Sequence, residues 1–199
     1  MIICMYDIIC VTNRKLCTDD FTDRIKRIAE TDVSGIILRE KDLSEREYEQ
    51  LSKTAIQTSG DKIILHSFDK TARRLCFRRI HLPLHILRDL RDKEYYQEIG
   101  ASCHSAAEAI EAERLGCTYI TAGHVFDTDC KKGLPGRGLD FLEEVCRSVS
   151  VPVYAIGGIT KDNICDVIER GARGGCIMSG MMTCEDPAKY ISELRSVEK

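Results

Sequence analysis

The stretch Val151-Pro152-Val153-Tyr154-Ala155-Ile156-Gly157-Gly158 decides the fold, because it is an apolar run that ends in two glycines. A helical pattern follows, in which Ile164, Val167 and Ile168 share one face. A second apolar run comes next, Gly175-Cys176-Ile177-Met178-Ser179. This strand, helix, strand order predicts two parallel strands that are buried on both faces.

The same unit recurs along the whole chain of 199 residues. Strands are predicted at 7–12, 34–39, 62–66, 79–82, 99–102, 118–121, 151–156 and 175–179. Helix starts are marked by the capping boxes Ser44-x-x-Glu47 and Ser105-x-x-Glu108, by Thr160 and by Asp186-Pro187. The helices after the third and fourth strands are predicted to be short.

Eight such units predict an α/β protein with a parallel sheet. The simplest architecture is a closed (β/α)8 TIM barrel that occupies residues 1–199 as a single compact domain. An open, doubly wound sheet is the alternative. No G-x-G-x-x-G motif follows the first strand, which counts against the open sheet.

Composition and charge exclude several classes of protein. The net charge of −3 gives no general attraction to nucleic acid or membranes. No apolar run reaches the length of about 18 residues that a membrane-spanning helix needs. The eleven cysteines include no Cys-x-x-Cys pair, which predicts reduced thiols. Met1-Ile2-Ile3-Cys4 lacks the basic residues of a signal peptide and is predicted to be a strand. We therefore expect a cytoplasmic protein with no nucleic-acid or membrane partner.

The connection at 123–138 is unusually long and rich in functional residue types. It contains four glycines, His124, two lysines and Arg137. Glycine lets a backbone approach a ligand closely, cations attract an anion, and histidine exchanges protons near neutral pH. On composition alone a long solvated loop is the alternative.

Polar residues fall at the carboxyl ends of the predicted strands, which is where TIM barrels carry out chemistry. Four of the five histidines are among them, which favours function over simple packing: His66, His81, His104 and His124. His104 precedes a capping serine and is expected to be structural. No metal site is predicted, because the histidines come from separate loops without a short spacing such as H-x-x-x-H.

The last two strands predict a phosphate site. Gly157-Gly158 follows strand seven, and Ser179-Gly180 follows strand eight. Barrels frequently bind phosphate between these two loops, because unpaired backbone N–H groups and helix dipoles favour an anion. The alternative is a pair of tight turns that need glycine only for their geometry.

Three segments in this order resemble one known family: Phe126–Lys131, Ala155–Ile159 and Met178–Gly180. They are similar to thiamin phosphate synthase and its TenI relatives, and the similarity extends over nearly the whole chain. The resemblance implies a (β/α)8 barrel, in agreement with the strand and helix pattern. It also implies one of two activities, synthesis of thiamin phosphate or tautomerisation of a thiazole.

Departures from the synthase pattern bear on this choice. Synthases join a pyrimidine pyrophosphate to a thiazole phosphate with magnesium, and their Gln-x-Arg-x-Lys motif corresponds to Ile37, Arg39 and Lys41. The two magnesium-binding aspartates correspond to Ser67 and Ile86. Neither side chain can replace a carboxylate on a hard dication.

The central loop is similar to that of TenI, the thiazole tautomerase, since Gly123-His124-Val125-Phe126 stands where synthases have Gly-Pro. The resemblance implies that His124 moves a proton during aromatisation of a carboxythiazole phosphate, without a metal or redox cofactor. Implied substrate contacts are Arg39 or Lys41 to the carboxylate and Lys131 with the two glycine loops to the phosphate.

Ser102 and Thr128 complete the predicted binding residues. The alternatives are a synthase with a relocated metal site and a non-catalytic, regulatory protein that binds a phosphate ligand. We also expect a homo-oligomer, although the sequence does not give the number of subunits.

Overall fold

A computed structural model describes residues 6–128 and 133–196. Eight parallel strands form a closed barrel in which each strand pairs with the next and the eighth pairs with the first. The predicted (β/α)8 barrel is therefore confirmed, and the open sheet is wrong. The strands are β1 (Asp7–Val11), β2 (Gly35–Leu38), β3 (Ile63–His66), β4 (Arg79–Pro83), β5 (Glu98–Cys103), β6 (Tyr119–Gly123), β7 (Val153–Ile156) and β8 (Gly174–Ile177).

Helices alternate with these strands and cover the outside of the barrel. They are α1 (Phe21–Ala29), α2 (Glu45–Ser59), α3 (Asp69–Arg74), α4 (Leu84–Asp89), α5 (Ala106–Arg114), α6 (Gly138–Ser148), α7 (Ile164–Glu169), α8 (Ser179–Thr183) and α9 (Pro187–Arg195). Short 3-10 turns lie at Arg14–Leu16, Gly60–Lys62 and Lys93–Tyr95. As predicted, α3 and α4 are short, with six residues each.

The strands are apolar at almost every position because both of their faces are buried. One face fills the inside of the barrel, where a cluster contains Ile9, Val11, Ile37, Ile64, Tyr119, Tyr154 and Cys176. The other face packs against the helices in a larger cluster that includes Ile8, Cys10, Ile36 and Leu38. The alternation of neighbouring residues between the clusters is the period of two that a strand imposes.

Two helix starts differ from the sequence prediction. Ser44 and Glu47 form the full capping box of α2, as predicted. Ser105 caps α5, but the carboxylate of Glu108 accepts a hydrogen bond from the N–H of His104 (2.6 Å) instead of returning to Ser105. Thr160 does not cap α7, which begins only at Ile164. Thr160 begins a turn in which its N–H donates to Oδ1 of Asn163 (2.9 Å).

Strand eight is shorter than predicted, because the chain turns into α8 at Ser179. The expected strand at Met1–Cys4 lies outside the described residues. Within 6–128 and 133–196, no helix has the length and apolar character to cross a bilayer. The cysteines described are free thiols.

Candidate functional site

A cavity of about 580 Å³ opens at the carboxyl ends of the strands. Every predicted site residue that the structure describes lines it: Arg39, Lys41, Ser102, His124, Thr128, Gly157, Gly158, Ser179 and Gly180. Lys131, the remaining predicted site residue, lies outside the described residues. Barrel closure explains this convergence, because it brings the ends of all eight strands to one rim.

His124 follows β6 and is held from both sides by the loops around it. Its backbone carbonyl accepts the N–H of Arg137 (2.9 Å), and the next N–H, that of Val125, donates to the carbonyl of Ile156 (2.9 Å). The residue is only 6 % exposed. Its Nε2 lies 2.9 Å from the carbonyl oxygen of Pro135, whereas Nδ1 is buried without a hydrogen-bond partner among the described residues.

The tautomer of a neutral His124 ring follows from these contacts. A carbonyl oxygen only accepts hydrogen bonds, so Nε2 carries the proton in this arrangement. Nδ1 is then the nitrogen with a free lone pair. A neutral imidazole with one nitrogen anchored and the other unpaired can take a proton from a bound molecule.

The loop after β2 carries two cations around a buried carboxylate. Glu40 is buried and accepts hydrogen bonds from Thr12 Oγ1 (2.7 Å), from the N–H of Arg14 (3.0 Å) and from the Arg14 guanidinium (3.2 Å). Thr12 Oγ1 also accepts the N–H of Arg39 (2.9 Å). Glu40 thus anchors this loop to the one after β1, while Arg39 and Lys41 line the cavity.

The loop after β7 requires glycine at both positions. Gly157 and Gly158 have φ angles of +100° and +67°, a region that other residues rarely adopt. A Cβ on Gly157 would collide with His124, and one on Gly158 would collide with the carbonyl of Asp127. Within the described part of the chain, the N–H groups of these two glycines donate to no protein acceptor. The loop therefore presents backbone donors beside His124.

The loop after β8 leads directly into α8. The first N–H groups of a helix have no partner within it, and Met178, which precedes α8, makes no side-chain cap. A Cβ on Gly180 would overlap the hydroxyl of Tyr190, so Gly180 gives this tyrosine room at the rim of the cavity. Ser179 and Gly180 thus add backbone N–H donors next to Gly157 and Gly158, which follow β7.

Two further histidines lie deeper in the barrel and are uncharged. Burial lowers the pKa of His81 to about 3. The pKa of His66 is held well below its usual value, first by burial and then by electrostatic interaction with His81, Arg39 and Lys41. Their rings stack with centroids 5.9 Å apart. His81 lies in the middle of β4 and contacts Ser102 Oγ (2.8 Å), whereas Nδ1 of His66 contacts Ser67 Oγ (2.8 Å). His104, expected to be structural, pairs with Glu108 at 3.4 Å but also lines the cavity.

The described residues do not fit a magnesium ion. Ser67 stands at the first expected aspartate position, and its hydroxyl is taken up by His66. Ile86, at the second, packs against the outer apolar cluster. No Asp or Glu is among the described residues that line the cavity, and no cluster of three or more metal-ligating side chains occurs among them. Magnesium prefers carboxylate and water oxygens, which this set of donors lacks.

Sequence reasoning missed Tyr190, Thr183 and Thr160, which also line the cavity. Tyr190 belongs to α9, so its sequence position gives no sign that it reaches the rim. It also missed Tyr119, whose hydroxyl lies 3.0 Å from Nδ1 of His81. In the sequence, Tyr119 lies in the apolar pattern of strand β6 and is therefore predicted only to be a core residue.

Comparison with known proteins agrees with this fold. The model of a family described as thiamine monophosphate synthase, TMP-TENI, matches residues 8–181. The chain belongs to this family. Among curated members of the thiamine monophosphate synthase family, the thiamine-phosphate synthase of Pyrococcus furiosus is 31 % identical over 195 residues, which are 94 % of this chain and 92 % of that protein. That of Clostridium acetobutylicum is 33 % identical over 201 residues, 95 % and 94 % of the two chains.

A solved structure of a family member is also similar to this chain. The thiamine phosphate pyrophosphorylase from Pyrococcus furiosus superposes with a TM-score of 0.81 at 29 % identity and covers 96 % of this chain and 94 % of its own. Membership of the thiamine monophosphate synthase family is therefore established, and these relatives bear the names of enzymes.

Proposed function

We propose that this protein is an isomerase, a thiazole tautomerase that aromatises a carboxythiazole phosphate by proton transfer at His124. The observation that carries the proposal is the state of this ring. Its Nε2 donates to Pro135, and its buried Nδ1 has no hydrogen-bond partner among the described residues. His124 lines a cavity whose described lining holds no carboxylate.

The proposed step moves one proton and no other group. Nδ1 of His124 takes the proton from the ring carbon that bears the carboxylate. The electron pair of that C–H bond enters the ring, the double bonds shift, and the exocyclic carbon takes the proton back from the same nitrogen. Such acid and base catalysis typically contributes a factor of ~10²–10⁴ in rate.

The substrate's two anionic groups match two parts of the rim. Arg39 or Lys41 would hold the carboxylate, and a planar guanidinium suits bidentate contact. Gly157, Gly158 and the loop Ser179-Gly180 would hold the phosphate through backbone N–H groups, with Lys131 as a further cation. Ser102 and Thr128 would contact the ring between them.

Replacement of His124 by asparagine tests the proposal. His124→Asn keeps size and polarity but removes the proton carrier, so we expect catalysed aromatisation to fall by ~10²-fold or more. Binding of the aromatic product, measured by calorimetry, should change little. The exposed His85→Asn is the matched control. Near-full activity in His124→Asn, with loss in a variant of His66 or His81, would assign the proton transfer to another ring.

A second candidate is the thiamin phosphate synthase reaction, which the names of the curated relatives favour. It would need a magnesium site that the described residues do not supply at Ser67 or Ile86. The third possibility is a regulatory protein that binds the same phosphate ligand without turning it over. It predicts product binding together with no acceleration of aromatisation.

A further inference from the structure

Three residues at one level of the barrel bring a tyrosine and a histidine together. His81 of β4 pairs with Gly100 of β5, and Gly100 pairs with Tyr119 of β6. All three positions face the barrel interior. A Cβ on Gly100 would overlap both the tyrosine ring and Nδ1 of the histidine. Because the middle strand has no side chain here, His81 and Tyr119 meet across it at 3.0 Å.

The direction of this hydrogen bond follows from the need of each buried donor proton for an acceptor. Burial raises the pKa of Tyr119 well above its usual value, so the phenol keeps its proton. Its hydroxyl has no other partner among the described residues. If Nδ1 of His81 donated, the phenol proton would remain buried and unpaired, which is costly. Tyr119 therefore donates to Nδ1, and the proton of the neutral His81 ring lies on Nε2.

The next hydrogen bond reaches the cavity. Nε2 of His81 lies 2.8 Å from Ser102 Oγ, one level closer to the rim, and the hydroxyl of Thr121 approaches the same oxygen at 3.4 Å. Since Nε2 donates, Ser102 Oγ accepts. Within the described residues the hydroxyl of Ser102 has no acceptor of its own, and Ser102 lines the cavity. Its proton is available to a bound molecule.

We propose that Tyr119 and His81 are positioning residues that orient the hydroxyl of Ser102 as a hydrogen-bond donor to the substrate. The inference rests on the proposed function for the identity of the substrate. The acceptor would be an atom next to the reacting carbons, a ring nitrogen or a carboxylate oxygen. Without the phenol, His81 can carry its proton on Nδ1 and accept from Ser102, which turns the serine donor away from the ligand.

Nitrogen NMR of the histidine rings tests the first part without any assay of activity. We expect His81 in the full-length protein to be the Nε2–H form, neutral from pH 8 to 5. In Tyr119→Phe the Nδ1–H form should gain population. Tyr154→Phe is the matched control, because Tyr154 packs edge-on against Tyr119 at 5.7 Å while its hydroxyl bonds Asp7 (3.2 Å). An Nδ1–H ring in the wild type, or an unchanged ring in Tyr119→Phe, would overturn the proposal.

A double-mutant cycle tests the second part through kcat/KM for aromatisation. Ser102→Ala and Tyr119→Phe should each lower it by about tenfold, as for loss of one hydrogen bond, and Tyr154→Phe should not. If Tyr119 acts through Ser102, the double variant should be no worse than Ser102→Ala. Multiplied losses would overturn a positioning role. A wild-type protein without turnover would instead contradict the proposed function, and the NMR result would still decide the orientation of His81.

Discussion

His124 and Pro135 are joined by a hydrogen bond of 2.9 Å from Nε2 of the ring to the backbone carbonyl. The loop after β6 thus folds back on its own first residue and fixes which ring nitrogen carries the proton. Nδ1, which is buried and has no partner among the described residues, is left as the acceptor on a residue that lines the cavity. The proposed chemistry depends on this relationship, because a histidine with both nitrogens engaged could not accept a proton from a ligand.

Gly157→Ala should disturb both His124 and the loop after β7, which we propose binds the phosphate. The new Cβ would collide with His124 and would force alanine to φ +100°. We expect a loss of about 1–3 kcal/mol in unfolding free energy, and binding of the thiazole phosphate product at least about tenfold weaker. Gly116→Ala is the control, since its φ of +89° gives similar strain with nothing within 4 Å. Equal product affinity in the two variants would show that Gly157 has no role in the site.

Glu40→Gln should loosen the loop that carries Arg39 and Lys41. The carboxylate accepts hydrogen bonds from Thr12 and Arg14 while almost fully buried, and glutamine replaces one accepting oxygen by a donor. We expect the unfolding free energy to fall by about 1–3 kcal/mol, measured by urea denaturation. The exposed Glu144→Gln should change it by less than about 0.5 kcal/mol. A Glu40→Gln protein as stable as the wild type would contradict the anchoring role.

Stability should fall as the pH is lowered from 7 to 5. The folded-state pKa values of His66 and His81 lie below that of an unfolded chain, near 6.5, so the unfolded chain binds more protons in this range. The stabilising contribution is present above pH 6.5 and is lost towards the folded pKa, which is about 3 for His81. Each ring contributes a slope of at most about 1.4 kcal/mol per pH unit.

Urea denaturation at pH 7, 6 and 5 measures this slope above the range in which carboxylates titrate. His66→Gln should reduce the slope, because one of the two buried rings is gone. The exposed His85→Gln serves as the control and should leave the contribution of the buried pair in place. An identical slope in the wild type and His66→Gln would mean that His66 is not buried as a neutral ring.

The sequence predicted the barrel well because parallel strands buried on both faces leave a strong pattern. All eight predicted strands are present, and the glycines at 157, 158 and 171 end their elements at positive φ angles. Local competition explains the differences. Thr160 Oγ1 accepts the N–H of Asp162 (3.3 Å) within the turn that precedes α7, and Glu108 turns to His104 because that N–H is within reach.

The site was predictable only where residues lie at the carboxyl end of a strand or directly after it. Arg39, Ser102, His124 and the glycine loops were found in this way, because closure of a barrel brings strand ends together. Tyr190 reaches the rim from α9, and Tyr119 reaches His81 only because Gly100 leaves a gap. Such contacts depend on three-dimensional packing between distant segments, for which the chain carries no periodic signal.

The central claim is tested most directly by assaying one preparation for both reactions of the family. The dihydrothiazole carboxylate phosphate is supplied in excess chelator, and pyrimidine pyrophosphate with thiazole phosphate is supplied in excess magnesium. We predict aromatisation faster than in buffer and unaffected by the chelator, with little or no thiamin phosphate formed. Magnesium-dependent formation of thiamin phosphate, with aromatisation no faster than in buffer, would contradict the account.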